Sequence, residues 1–140
     1  MCYAQAQCHG STSSVDLHLI SWHDRNVGLI PQYKFIADLL ADASIPKEGI
    51  LSRVLQKDEH VNITLFGFSP GQELSTHSAP TPAVLYFLSG EADVKLGEDT
   101  HRAKAGSFAY MPPMLPHAIS AKTATMMLLV QVKIPGPANP

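Results

Sequence analysis

From residue 46 onward the chain alternates short runs of Val, Ile, Leu, Thr and Phe with glycines, prolines and charged turn residues. Runs of that length and composition, bounded by turn formers, read as β-strands. The pattern predicts strands over 50–55, 61–68, 73–77, 83–88, 92–96, 100–103, 107–111, 117–120 and 125–134. So many short strands in so little chain would leave exposed edges unless the sheet closes or doubles over. The expected fold class is therefore all-β, a barrel or sandwich.

Upstream the texture differs. Phe35, Ile36, Leu39 and Leu40 recur at helical spacing with Lys34 and Asp38 on the other side, which predicts one short helix over 33–40. Residues 1–30 are polar and mixed, close on the turn formers Asn26, Gly28 and Pro31, and read as an arm. The last six residues hold three prolines and cannot extend a sheet. The expected organisation is an arm and short helix over 1–45, a barrel over 46–134 and a tail over 135–140.

Two strands say more about their surroundings. In 83–88 both alternating faces are apolar, with Ala83, Leu85 and Phe87 on one side and Val84, Tyr86 and Leu88 on the other. A strand wetted on one face would alternate, so this one is expected to be covered on both. A homodimer is the expected source of the outer cover. In the last strand Met126, Leu128, Val130, Val132 and Ile134 share a face, while the opposite face turns polar at Gln131 and Lys133. The even-numbered face is expected to point to the core.

Composition narrows the function classes. With 45% hydrophobic and 16% charged residues the chain has material for one core and too little charge for a disordered polymer. Its formal charge of -2 lacks the basic surplus that nucleic acid or anionic lipid attracts, and neither is an expected partner. The longest apolar run, 83–88, is far short of the roughly 20 residues that cross a bilayer as a helix, so no membrane span is expected. Cys2 and Cys8 both lie in the arm and imply no disulfide framework, and the first ten residues have no signal-peptide pattern. The expected localisation is cytoplasmic.

The chemistry concentrates in two stretches. Between Gly71 and Gly90 the sequence reads GQELSTHSAPTPAVLYFLSG, and between Gly106 and His117 it reads GSFAYMPPMLPH. These resemble the two signature motifs of the cupin superfamily, small jelly-roll barrels also described as double-stranded β-helices. Gly71, His77 and Gly90 match the first motif; Gly106, Pro112 and His117 match the second. Met114 stands where the second motif has Gly, and Ala121 where it has Asn. The wider run from Ile50 to Lys133 is similar to a subgroup of single-domain cupins with His-Ser-Ala-Pro, here His77 to Pro80, in the first motif.

The resemblance implies a metal site at the barrel mouth. Its logic is that residues two apart on a strand share a face roughly 6.6 Å apart, so two imidazoles reach one ion, completed by a carboxylate and a third imidazole. Here Ala79 fills the second His position and Ala83 the Glu position, leaving His77 and His117 of the four ligands. Such a pair implies at most weak binding of a divalent transition metal such as zinc, copper or nickel.

The expected site thus has His77 and His117 as its polar, metal-binding or catalytic pair, in a pocket lined by Ser75, Ala79, Ala83, Leu85 and Phe87. The expected function is binding of a small molecule there. The alternative is a metal-dependent or acid–base cupin enzyme, of oxygenase, isomerase or lyase type, acting on a small metabolite; a third reading is a barrel filled by its own side chains. His60 and His101 read as solvated, His9, His18 and His23 belong to the arm, and the cluster Met111, Met114, Met126 and Met127 reads as core filling. Pro112, Pro113 and Pro116 read as a rigid turn that presents His117.

Overall fold

The computed structural model describes residues 32–136. The arm with its cysteines, His9, His18 and His23, and residues 137–140, lie outside them. The chain divides into two units between Phe35 and Ile36, and in the first the described residues 32–35 have no regular secondary structure.

Among the described residues of the second unit there are nine strands, all expected from the hydrophobic pattern: β1 (Ile50–Lys57), β2 (Val61–Phe68), β3 (Glu73–His77), β4 (Ala83–Ser89), β5 (Glu91–Leu96), β6 (Asp99–Lys104), β7 (Phe108–Met111), β8 (His117–Ala121) and β9 (Thr125–Val132). They form two sheets, ordered β1-β2-β9-β4-β7 and β3-β8-β5-β6, with antiparallel pairing throughout. The repeated jumps between non-consecutive strands make a jelly roll. One sheet contributes Phe68, Ala83, Leu85, Phe87, Met111 and Met127 to the core; the other contributes Ala92, Val94, Ala103, Ile119 and Ala121. Thin layers of this kind are stabilised chiefly by apolar area removed from water, about 25 cal/mol per Å².

The helix expected over 33–40 does not form. Asp38 instead closes a single turn: its carboxylate accepts the N–H groups of Leu40 and Ala41, and its carbonyl accepts that of Asp42 at 3.1 Å. One such turn fixes several residues for few hydrogen bonds, and only continued propagation would make it a helix. The apolar spacing has another use, because Ile36, Leu39, Ala43 and Ile45 pack on Leu55, Leu65 and Met126 outside the first sheet. Gly67 of β2 lets this segment approach: a Cβ there would stand 2.6 Å from the Ser44 carbonyl oxygen. Arg53 clamps the segment by donating to the carbonyl and carboxylate of Asp42 at 2.8 and 2.5 Å.

This second cluster also corrects the face assigned to the last strand. Met127 and Leu129 belong to the barrel core, whereas Met126 and Leu128 pack outward under the segment from Ile36 to Ile45. The odd-numbered face of β9 is the interior, and Gln131 shares it. β4 is buried on its inner face, with Ala83, Leu85 and Phe87 at 4%, 1% and 1% exposure, but the cover expected on its outer face is only partial. On its outer face Leu88 joins the second cluster, and Tyr86 remains exposed.

Candidate functional site

His77 closes β3 and His117 opens β8, and the two are direct cross-strand partners. The inward position of His77 depends on an irregularity that no pattern in the sequence announces, whereas His117 shares the inner face of β8 with Ile119 by simple alternation. Leu74 pairs with Ile119 and packs in the core, and strict alternation would send a residue three positions later outward. A register shift between Leu74 and His77 restores the imidazole to the inner face. On the other side a turn through Pro112, Pro113 and Pro116 leads into His117; it is pinned by Met114 N–H donating to the Ala79 carbonyl at 2.7 Å and Gly97 N–H to that of Pro116 at 2.8 Å.

The rings lie 4.2 Å apart between centroids, tilted by 57°. Each Nδ1 contacts the carbonyl oxygen two residues earlier, His77 on Ser75 at 2.7 Å and His117 on Leu115 at 2.9 Å. A carbonyl only accepts, so Nδ1 carries the hydrogen and donates it, and in each neutral ring the lone pair resides on Nε2. His117 is buried and His77 exposed, which makes the pair a graded entrance from solvent.

The cavity at the pair has a volume of about 80 Å³. Ala79 and Ala83 line it as expected, joined by Thr81, Met111, Leu115 and Gln131 among others. Three expected lining residues stand elsewhere. Ser75 falls in the irregular part of β3 and lines a separate depression with Glu73 and Asp93, serving His77 through its carbonyl alone. Leu85 is a core residue, and Phe87 lines a larger opening of about 410 Å³ between β6 and β7, beside Val94, His101 and Phe108. Along β4, Ala83 is thus at the His mouth and Phe87 well away from it. His101 and His60 are both exposed, as expected; His101 borders that larger opening, and His60 pairs with Glu59 at 3.3 Å.

Gln131 and Thr81 were not among the expected site residues. For Gln131 a signal existed: it is where an otherwise apolar strand face turns polar. Of the methionine cluster, Met111, Met126 and Met127 are buried core residues and Met114 is exposed.

The donor set answers the question of a resident metal. Ala79 and Ala83 offer no donors, and among the described residues no three His, Cys, Asp or Glu side chains gather as a metal-binding group. Catalytic zinc sites use three protein ligands, so two imidazoles do not fit a tightly held divalent ion. Among the described residues no helix is long and apolar enough to cross a membrane.

Residues 64–132 match the family model described as a cupin domain. No curated protein matches the chain. Among solved structures, a conserved Streptococcus pyogenes protein of unknown function is similar at 35% identity and TM-score 0.68, the match covering 75% of this chain and 92% of that one. A cupin 2 conserved barrel domain protein from Leptotrichia buccalis is similar at 30% identity and TM-score 0.64, over 68% of this chain and 46% of that one. A cupin superfamily protein from Desulfitobacterium hafniense shares the fold at 23% identity and TM-score 0.67, over 74% of this chain and 94% of that one. With the jelly-roll topology and both motif histidines at one barrel mouth, these likenesses lead to one conclusion: the chain is a small member of the cupin superfamily.

Proposed function

We propose that this cupin binds a small molecule at the His77–His117 mouth, with the two imidazoles as its polar anchors. One observation carries the reading: both Nδ1 groups are committed to backbone carbonyls, so the Nε2 lone pairs of two neighbouring rings are left free at a cavity with mostly apolar walls. Concave, mostly apolar sites with a few convergent polar groups are the usual form of small-molecule sites. The test is a ligand-observed magnetic resonance screen of small polar compounds against the parent, His77→Ala and His117→Ala proteins. Hits lost in both variants support the reading, and hits indifferent to both variants remove it.

A second reading, an acid–base enzyme, is favoured by the same fixed tautomer. A neutral imidazole held by Nδ1–H presents Nε2 as a proton acceptor, the form a general base requires. Turnover of a screening hit, abolished in either alanine variant, distinguishes it from simple binding.

The reading extends to a cytoplasmic homodimer. Support for the dimer comes from the outer face of the first sheet, where Tyr86 and Phe108 are cross-strand partners with Tyr110 beside them, at 39%, 65% and 58% exposure. β7 is the edge of that sheet, and its residues Phe108–Met111 include no charge and no proline to discourage pairing with another strand.

A further inference from the structure

Gln131 lies on the interior face of β9, between Asn62 of β2 and Ala83 of β4 as its cross-strand partners. Ala83 occupies the position where the cupin plan places its carboxylate ligand, and Gln131 lines the same cavity next to it. The Gln131 carboxamide is oriented. Its Oε1 accepts a hydrogen bond from Asn62 Nδ2 at 2.9 Å, which leaves its amide nitrogen as the donating end. Asn62 Oδ1 is itself buried with no partner. A barrel built only to exclude water would lose nothing by replacing both amides with apolar groups of similar shape, whereas retaining them with an unsatisfied acceptor costs stability.

Resting on the small-molecule reading above, we propose that Gln131 is a specificity-determining residue of this site and Asn62 its positioning residue. The mouth then offers two kinds of group. The imidazole Nε2 atoms accept hydrogen bonds, and the Gln131 amide donates one. A carboxylate in this place would recognise a cation; an amide nitrogen recognises an oxygen. A matching ligand carries a donating hydroxyl next to an accepting carbonyl or carboxylate oxygen, on a skeleton of only a few atoms, since a cavity of about 80 Å³ holds little more. The ligand class is a short hydroxy acid or hydroxy carbonyl compound.

The test titrates the full-length protein with glycolate, which has both groups, and separately with acetate and ethanol, which have one each. The Gln131 side-chain amide and the two imidazoles are followed by nitrogen-15 magnetic resonance. The expected result is saturable glycolate binding that shifts all three groups, with acetate and ethanol weaker by about tenfold or more. Gln131→Met keeps the shape without the amide and is expected to weaken glycolate by about tenfold. Gln131→Glu, which turns a carboxylate on the ligand oxygen, is expected to abolish it. Asn62→Leu is expected to weaken glycolate less and to leave the Gln131 amide signal averaged over several orientations. Glycolate binding that Gln131→Met leaves unchanged, but His77→Ala removes, overturns the role of Gln131 while the imidazole pocket stands. No saturable shift with glycolate overturns the ligand class, and the compound screen then decides the pocket reading on its own.

Discussion

The backbone N–H of Met114 donates to the carbonyl of Ala79 at 2.7 Å, tying the second motif's turn to the first motif, and Met114 makes this contact at φ +66°. The cupin pattern has glycine at this position, and the backbone keeps the glycine conformation although the residue carries a side chain. Among the described residues no other non-glycine residue has positive φ. A left-handed backbone costs an ordinary residue roughly 1–2 kcal/mol, partly offset in glycine by its greater freedom when unfolded. Met114→Gly is therefore expected to stabilise the protein by about 0.5–1 kcal/mol, read as a higher midpoint in urea. Met114→Val, branched at Cβ, is expected to lower the midpoint.

At Gly90 the chain crosses from β4 in one sheet to β5 in the other, with φ +79° and almost no room. A Cβ there would stand 2.1 Å from the Ala124 carbonyl oxygen and 2.7 Å from the Thr125 Cα, both backbone atoms that cannot swing aside. Gly90→Ala is expected to destabilise by about 3 kcal/mol or more, combining strain with the clash. A thermal midpoint within a degree or two of the parent would contradict that geometry.

The β1–β2 turn supplies a pH dependence. The Asp58 carboxyl is held down at about 2, from 3.8, first by the Gln56 side-chain amide and then by the N–H groups of His60 and Val61. The charged form is the bonded one, so its contribution is present above about pH 4 and is lost as pH falls through about 2. Asp93 is lowered in the same sense, by Lys122 and then by Arg102. Asp58→Asn is expected to flatten the acid limb of stability against pH while leaving the neutral limb nearly parallel to the parent.

Much of this fold was legible because its strands carry their own punctuation. The two-sided apolar character of β4 and the motif histidines were equally plain in the residues. What escaped the reading has physical causes. The spacing of Ile36 and Leu39 is as suitable for a loop laid on a sheet as for a helix, and only the packing on Leu65 and Met126 decides between them. β9 is covered on both sides, so hydrophobicity could not tell its inner face from its outer one. Ser75 and His77 share parity in an ideal strand, and the register shift after Leu74 separates them. Gln131 was visible as a polar residue, yet its place beside Ala83 depends on the pairing of strands nearly fifty residues apart.

The proposed dimer predicts a specific weakness. Phe108→Glu puts a charge into the exposed aromatic face, where it is solvated in a monomer and desolvated in an isologous pair. The parent is expected to run as a dimer at micromolar concentration by light scattering, and the variant as a folded monomer. A monomeric parent would remove the dimer from the account.

In the proposed function His77 and His117 act together through their Nε2 atoms, which long-range proton–nitrogen-15 spectroscopy of the imidazoles observes. At about pH 9, where free imidazole is neutral, both rings are expected to carry their proton on Nδ1. Both Nε2 signals are expected to move together, and saturably, when a compound from the screen is added. A proton on Nε2 of either ring, or bound compounds that leave both rings unmoved, would contradict that joint role.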